Sequence, residues 1–387
     1  MPRPGVTEDQ RSALNSLFYP GNATNSRSTS CNRIKEPTVS LNRTVFAYGS
    51  TDGMAIYGHM VLMPEGKIYG YSHPNEFRYV ERPDGGIDFF NVDGGLSCVF
   101  DVHGDSFLGR EADGLWGLFL VPVISLSGSS TEVVRLGPRP HASPCVLINS
   151  IPKSGTYFVE RILSDLGFAS TRLHLSGANV CDDNRHIPDE LMHVQPTKLR
   201  RMLPLHFVAR LLAPGEVVVG HIELSQVVQQ FRDVGVHVIS LKRNLRDVLA
   251  SLYYFKLSRV SPLSLGDETW RTVGKNDKFL AFLSFFADSD IRHIKQMGML
   301  MAETPNCLAY EDLLEKKREP VDLLRDILGL DCQNEELSSV IEAATQKITP
   351  TSNPTRSSWH NIWDERAEKF FERSGLKATN ISLGYEY

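Results

Sequence analysis

What the sequence lacks narrows the field first. No stretch approaches the run of about eighteen apolar residues needed to span a bilayer. Residues Met1 to Gln10 contain no signal-peptide apolar core, so the expectation is a cytoplasmic chain without a membrane anchor. Six cysteines, Cys31, Cys98, Cys145, Cys181, Cys307 and Cys332, are scattered without Cys-x-x-Cys spacing. They read as free thiols. No His/Cys/Asp cluster carries metal-ligand spacing, and no metal is expected. With 41 Lys and Arg against 46 Asp and Glu, the net charge of −5 argues against a general nucleic-acid binder. Assembly as a homodimer is expected only because symmetric pairs are common.

What is present divides the 387 residues by texture. Residues 1–40 are rich in Ser, Asn, Arg and Pro and read as a partly ordered leader. Residues 41–140 show short alternating runs split by Gly and Asp turns, such as Asp84-Gly-Gly86 and Asp93-Gly-Gly95. Gly58 to Met63, Lys67 to Tyr71, Ile87 to Phe90 and Ser97 to Phe100 then read as successive antiparallel strands of a small β-rich domain. Tyr69, Tyr71, His73, Asn75 and Glu76 suit a sugar or other polar acceptor; sheet packing, oligomerisation and a cap on the second domain are the competing roles. Residues 141–387 alternate apolar strands with helical stretches. The strands are Cys145 to Asn149, Val217 to Gly220, Val236 to Leu241 and Cys307 to Ala309, and the helices include Thr156 to Leu166, Leu245 to Lys256 and Lys275 to Met301. That pattern predicts an α/β fold, a parallel sheet covered on both faces. Thr171 to Arg201 lacks clear periodicity and reads as an acceptor-binding loop or lid.

Two segments carry chemistry. The apolar run Val146 to Ile148 leads into Ser150-Ile-Pro-Lys-Ser-Gly-Thr-Tyr157, which precedes a helix. Strand, turn and helix in that order aim backbone N–H groups and a helix dipole at one point, where an anion belongs. Gly155 permits close approach, Lys153 adds a cation, and Ser154 and Thr156 add hydroxyls. Gly-x-x-x-x-Gly-Lys-Ser/Thr occurs nowhere, so Mg-ATP is disfavoured. The second segment, Lys242-Arg-Asn-Leu-Arg-Asp-Val-Leu-Ala-Ser251, again joins a strand to a helix, with Asn244 or a neighbour as its cap. Arg243 and Ser251 can meet a second phosphate. Between the two, Val217-Val-Val-Gly-His221 ends a strand in a histidine suited to general-base work. Glu223 is the nearest substitute base, and His174, His186, His193 and His206 are weaker candidates because none ends an obvious strand.

Pro152-Lys-Ser-Gly-Thr-Tyr157 together with Arg243-Asn-Leu-Arg-Asp-Val-Leu-Ala-Ser251 resembles the paired signature of the PAPS-dependent sulfotransferases. The resemblance covers about Ser143 to Tyr387 and implies a P-loop-like sulfotransferase fold, PAPS as sulfuryl donor and 3′,5′-ADP as product. It assigns Lys153, Ser154, Gly155, Thr156 and Tyr157 to the 5′-phosphosulfate, and Arg243 and Ser251 to the 3′-phosphate. Lys153 would also neutralise charge on the leaving oxygen, and His221 would be the base. Tyr310 in Cys307-Leu-Ala-Tyr-Glu-Asp-Leu-Leu314 would frame the adenine. Arg356, with Ser357 and Ser358, stands where the family carries an Arg-Lys-Gly loop, here altered to Arg356-Ser-Ser-Trp-His-Asn361. The fused β-rich domain and the expected cytoplasmic setting lean toward a glycan or a specialised small molecule as acceptor, bearing a hydroxyl or an amine. An ATP-dependent kinase-like transferase and a non-catalytic binding protein with a relict nucleotide fold are the alternatives.

Overall fold

The structure, a computed structural model, describes residues 41, 43–52, 54–114, 117–126, 143–188, 191, 199–346 and 359–385. Eight antiparallel strands close into a barrel: β1 Thr44–Ser50, β2 Ala55–Met63, β3 Lys67–Tyr69, β4 Arg78–Glu81, β5 Ile87–Phe90, β6 Leu96–His103, β7 Ser106–Glu111 and β8 Gly117–Ser125. The β1 to β8 pairing makes the closure, with Thr44 opposite Ser125 and Ser50 opposite Leu118. Inward-facing side chains fill the interior, among them Phe46, Met60, Leu62, Phe89, Phe100 and Phe107, all buried. Closure removes the exposed strand edges of an open sheet.

A second sheet has the order β12-β11-β10-β13-β9-β14-β15. Its strands are β9 Val146–Ser150, β10 Ala169–Ser176, β11 Val180–Asp183, β12 Arg200–Met202, β13 Glu216–His221, β14 His237–Lys242 and β15 Leu308–Ala309. Strands β10, β13, β9, β14 and β15 run parallel, but β11 and β12 are antiparallel additions at one edge. The expected parallel sheet is therefore mixed. The same strands correct the expected loop from Thr171 to Arg201: Ala169–Ser176 alternates buried and half-buried residues, with Thr171, Leu173 and Leu175 turned inward. That period of two is a strand signal. The expected helix from Lys275 to Met301 is also broken, by a wide turn at Ala287–Ile291 that keeps Phe286 and Ile291 buried on its two sides.

Alternation sorts the sheet's side chains between two faces. Val146, Ile148, Val217, Val219, Ile239 and Leu241 pack against the helices Thr156–Asp165, Arg318–Leu328 and Asn334–Thr345. Leu147, Leu173, Leu175 and Val218 turn the other way, onto Phe207, Val208, Val227 and Phe231, and also onto Val45, Val61, Ile124 and Leu126 of the barrel. Barrel and sheet thus share one core, within a single unit spanning Val39–Tyr387; the other unit, Met1–Thr38, lies outside the described residues. Phe207 anchors the junction. It meets Tyr69 at 5.7 Å between ring centroids, and a Cβ on Gly70, whose φ is +86°, would come within 2.2 Å of its ring. Burying such a ring contributes about 1.5–3 kcal/mol. Tyr69 also carries the Arg210 guanidinium at 4.7 Å, so its ring takes part in the packing of this junction. Arg43 adds a polar seam, donating to the Leu211 carbonyl at 2.7 Å and pairing with Glu216 at 2.5 Å.

Among the described residues no helix is long and apolar enough to cross a membrane, and no group of three or more His, Cys, Asp or Glu is placed to hold a metal. Cys98, Cys145, Cys181, Cys307 and Cys332 are free thiols; Cys31 lies outside the described residues.

Candidate functional site

Strand β9 stops at Ser150 and the helix Thr156–Asp165 starts six residues later. The turn between them is built from two left-handed residues, Lys153 at φ 68° and Gly155 at φ 93°. A Cβ on Gly155 would lie 2.3 Å from the Tyr310 ring, so glycine is required there twice over, by conformation and by space. A left-handed lysine is strained, a feature that clusters at ligand sites. The Ser154 side chain is fully buried, and its hydroxyl has no hydrogen-bond partner.

Strand β14 runs parallel beside β9, with Leu241 opposite Ser150, and so brings the second segment alongside the first. Asn244 caps the helix Leu245–Ser258 by accepting from the Arg246 amide at 3.0 Å. Arg243, just before the cap, donates Nη1 to the Lys153 carbonyl at 3.0 Å and stacks 4.8 Å over Tyr310. Its Nε is buried without a partner. Ser251 is half-buried in the second turn of the same helix. Tyr310 therefore stands between the two loops, touching Gly155, Arg243 and Phe158. Arg356, Ser357 and Ser358 lie outside the described residues, as does His193.

Lys153 Nζ lies 4.2 Å over the Phe255 ring. Burial, reinforced by the nearby charges of Arg243 and Arg259, pushes its ammonium down to about 7. Three cations and two unpartnered buried donors around one glycine turn fit a polyanion: an incoming phosphate supplies the acceptors that Ser154 Oγ and Arg243 Nε lack.

His221 is the last residue of β13, next to β9. Its Nδ1 lies 2.7 Å from the Ser150 carbonyl, which can only accept, so Nδ1 carries the proton and the neutral ring keeps a bare Nε2. Burial, then His174, His293 and Lys153, hold its pKa well below 6.5, against the Ser150 carbonyl, which raises it. Ser150 Oγ also meets Thr156 Oγ1 at 2.5 Å, so one short chain of contacts joins the helix Thr156–Asp165 to the histidine.

The sequence reading gave no role to Ser150, Asn149 or His293, and ranked His174 only as a weaker base candidate. Ser150 carries that relay. Asn149, 1% exposed, clamps the backbone after His221 by donating to the Ile222 carbonyl at 3.0 Å and accepting from its amide at 2.8 Å. His174 on β10 lies edge-on to His221, 4.7 Å between centroids, and stacks on Tyr157 at 6.4 Å. His293, on the helix Arg292–Glu303, approaches Glu223 at 3.5 Å, and burial lowers its pKa despite Glu223 and Asp290. Only His174 had a local signal, the alternation of β10. His206 stacks on Phe207 at 4.4 Å beside the barrel.

A family model described as "Sulfotransferase domain" matches residues 143–378. The Sulfotransferase 1A1 proteins of Rattus norvegicus and Mus musculus are each 25% identical to this chain, over 243 and 230 residues, which is 56% of this chain and 73% of the relative. Among solved structures the chain is similar to mouse sulfotransferase SULT7A1 complexed with PAP, at 12% identity and a TM-score of 0.40, covering 63% of this chain and 89% of that one. It is also similar to a retinol dehydratase in a complex with retinol and PAP, at 15% identity and a TM-score of 0.35, covering 73% and 92%. The barrel strands precede the matched residues.

Proposed function

This chain belongs to the sulfotransferase family, and from that premise we propose that it transfers the sulfuryl group of PAPS directly to a hydroxyl or amine, with His221 as the general base. Lys153, Ser154, Gly155, Thr156 and Tyr157 would hold the 5′-phosphosulfate end, and Arg243 with Ser251 the 3′-phosphate. Tyr310 would face the adenosine, and Arg356 and Ser357 extend the set. PAPS supplies an activated sulfuryl group on a phosphate leaving group; 3′,5′-ADP is released.

The observation that carries the base assignment is the tautomer of His221. With Nδ1–H held by the Ser150 carbonyl, the bare Nε2 takes the acceptor's proton as the acceptor oxygen or nitrogen attacks sulfur. The depressed pKa keeps that nitrogen unprotonated at neutral pH. Lys153, charged in the presence of an anion, offsets the negative charge that grows on the leaving oxygen as the S–O bond breaks. Thermal shift with 3′,5′-ADP, AMP and ATP tests the nucleotide half, because a ligand bound only to the native state raises Tm. Stabilisation selective for 3′,5′-ADP is the expected result; equal shifts for all three would remove the second phosphate site and with it the PAPS reading.

A further inference from the structure

Resting on the reading that His221 faces the acceptor, we propose that Glu223 selects that acceptor: a polyol of the sugar type, which offers one hydroxyl to His221 and a neighbouring hydroxyl to the Glu223 carboxylate. Three observations converge on this. Glu223 follows His221 by two residues, and the Asn149 clamp on Ile222 fixes the backbone between them, so base and carboxylate are held as one preorganised unit. The carboxylate is directed over the end of β10: a Cβ on Gly177 would lie 3.9 Å from its Oε1, and Gly177 follows Ser176, the residue opposite His221. Oε2 is buried and makes no hydrogen bond, with His293 Nδ1 beside it at 3.5 Å, an ion-pair distance without hydrogen-bond geometry.

A carboxylate with one buried oxygen that makes no hydrogen bond is costly to keep, and a ligand hydroxyl donating to its exposed side offsets that cost. The surroundings distinguish a hydroxyl from an ammonium. Arg243 and Arg259 both stand close enough to act on Lys153, and Lys153 on His221, so a cationic acceptor would enter a region already positive. A neutral second hydroxyl avoids that repulsion.

The test is sulfation of methyl glycopyranosides by the full chain with PAPS, each set beside its single-deoxy and amino-deoxy analogues and followed by mass spectrometry. The intact sugar should exceed one of its deoxy analogues in kcat/KM by on the order of tenfold or more, because a site built to bind a hydroxyl rejects the analogue that lacks it. Glu223→Gln should collapse that ratio, while 3′,5′-ADP still raises Tm as in the unaltered chain. The proposal is overturned by equal rates for every intact and deoxy pair, by a Glu223→Gln loss that leaves the ratio unchanged, by preference for the amino sugar, or by no glycoside turning over while 3′,5′-ADP still stabilises. Absence of 3′,5′-ADP stabilisation would instead strike the sulfotransferase reading itself.

Discussion

Two glutamates, one buried in the barrel and one half-buried at the end of the sheet, stand beside histidines and are treated in opposite ways. In the barrel, Glu76 is 6% exposed; it accepts from the Tyr48 hydroxyl at 3.0 Å and from the Cys98 thiol at 3.6 Å, and pairs with His73 at 2.8 Å. Burial and that carboxylate push the Tyr48 hydroxyl far up and the Cys98 thiol up to about 11. Both neighbours stay protonated and keep donating. At the sheet, Glu223 has His293 at 3.5 Å and one oxygen buried without a donor. Ser154 and Arg243 also hold buried, unpartnered donors. The barrel settles its polar groups internally, as a structural element does, whereas the sheet's C-terminal edge leaves its own unsatisfied, as a binding site does.

The sharpest way to break this contrast is at His221. His221→Ala should lower turnover by about 10²- to 10⁴-fold while the Tm shift with 3′,5′-ADP persists. Loss of nucleotide binding would mean that the ring supports the loop through Ser150 and is not the base. Next comes the seam between the regions. Phe207→Ala should destabilise the protein by about 3–5 kcal/mol, read by chemical denaturation as one cooperative transition, because barrel and sheet share a core. Two separate transitions would show the barrel folding on its own.

The contrast also explains which parts were legible in the sequence. The two strand-to-helix turns, at Lys153 and at Arg243, were readable because each is contiguous, a strand end, a turn and a helix start within about ten residues. His221 was readable because it ends an apolar run. His174, His293 and Asn149 reach the site from β10, a distant helix and the interior of β9, and only the sheet order 10-13-9-14 brings them together. Barrel closure was hidden for the same reason: β1 and β8 pair across an intervening chain of six strands. One local clue was present. Thr44–Ser50 is buried along its whole length, and its continuous Val-Phe-Ala-Tyr run, without alternation, marks a strand covered on both faces.

A smaller effect belongs to the barrel carboxylate. Glu76→Ala removes the acceptor for the buried Tyr48 hydroxyl and should cost about 1–3 kcal/mol, seen as a lower Tm with turnover per folded molecule unchanged. A turnover loss larger than the stability loss would mean that the barrel mouth takes part in catalysis and that the division between the two regions is wrong.

The most gradual effect is one of pH, and its sign follows from Lys153. In the free protein this ammonium loses its proton near 7, far below the usual lysine range, because burial and two arginines oppose the charge. Below that pH it is already charged and attracts an anion. Above it, binding 3′,5′-ADP must first recharge the amine, so affinity should fall as pH rises from 7 to 9, by up to about tenfold per unit for a single linked proton. Calorimetry in buffers of different ionisation enthalpy should show proton uptake on binding at the alkaline end and little below 7. Lys153→Met should flatten the profile. Because Glu76, Tyr48 and Cys98 are paired inside the barrel, Glu76→Gln should leave that profile as it was; a shift there would join the two regions electrically as well as through their shared core.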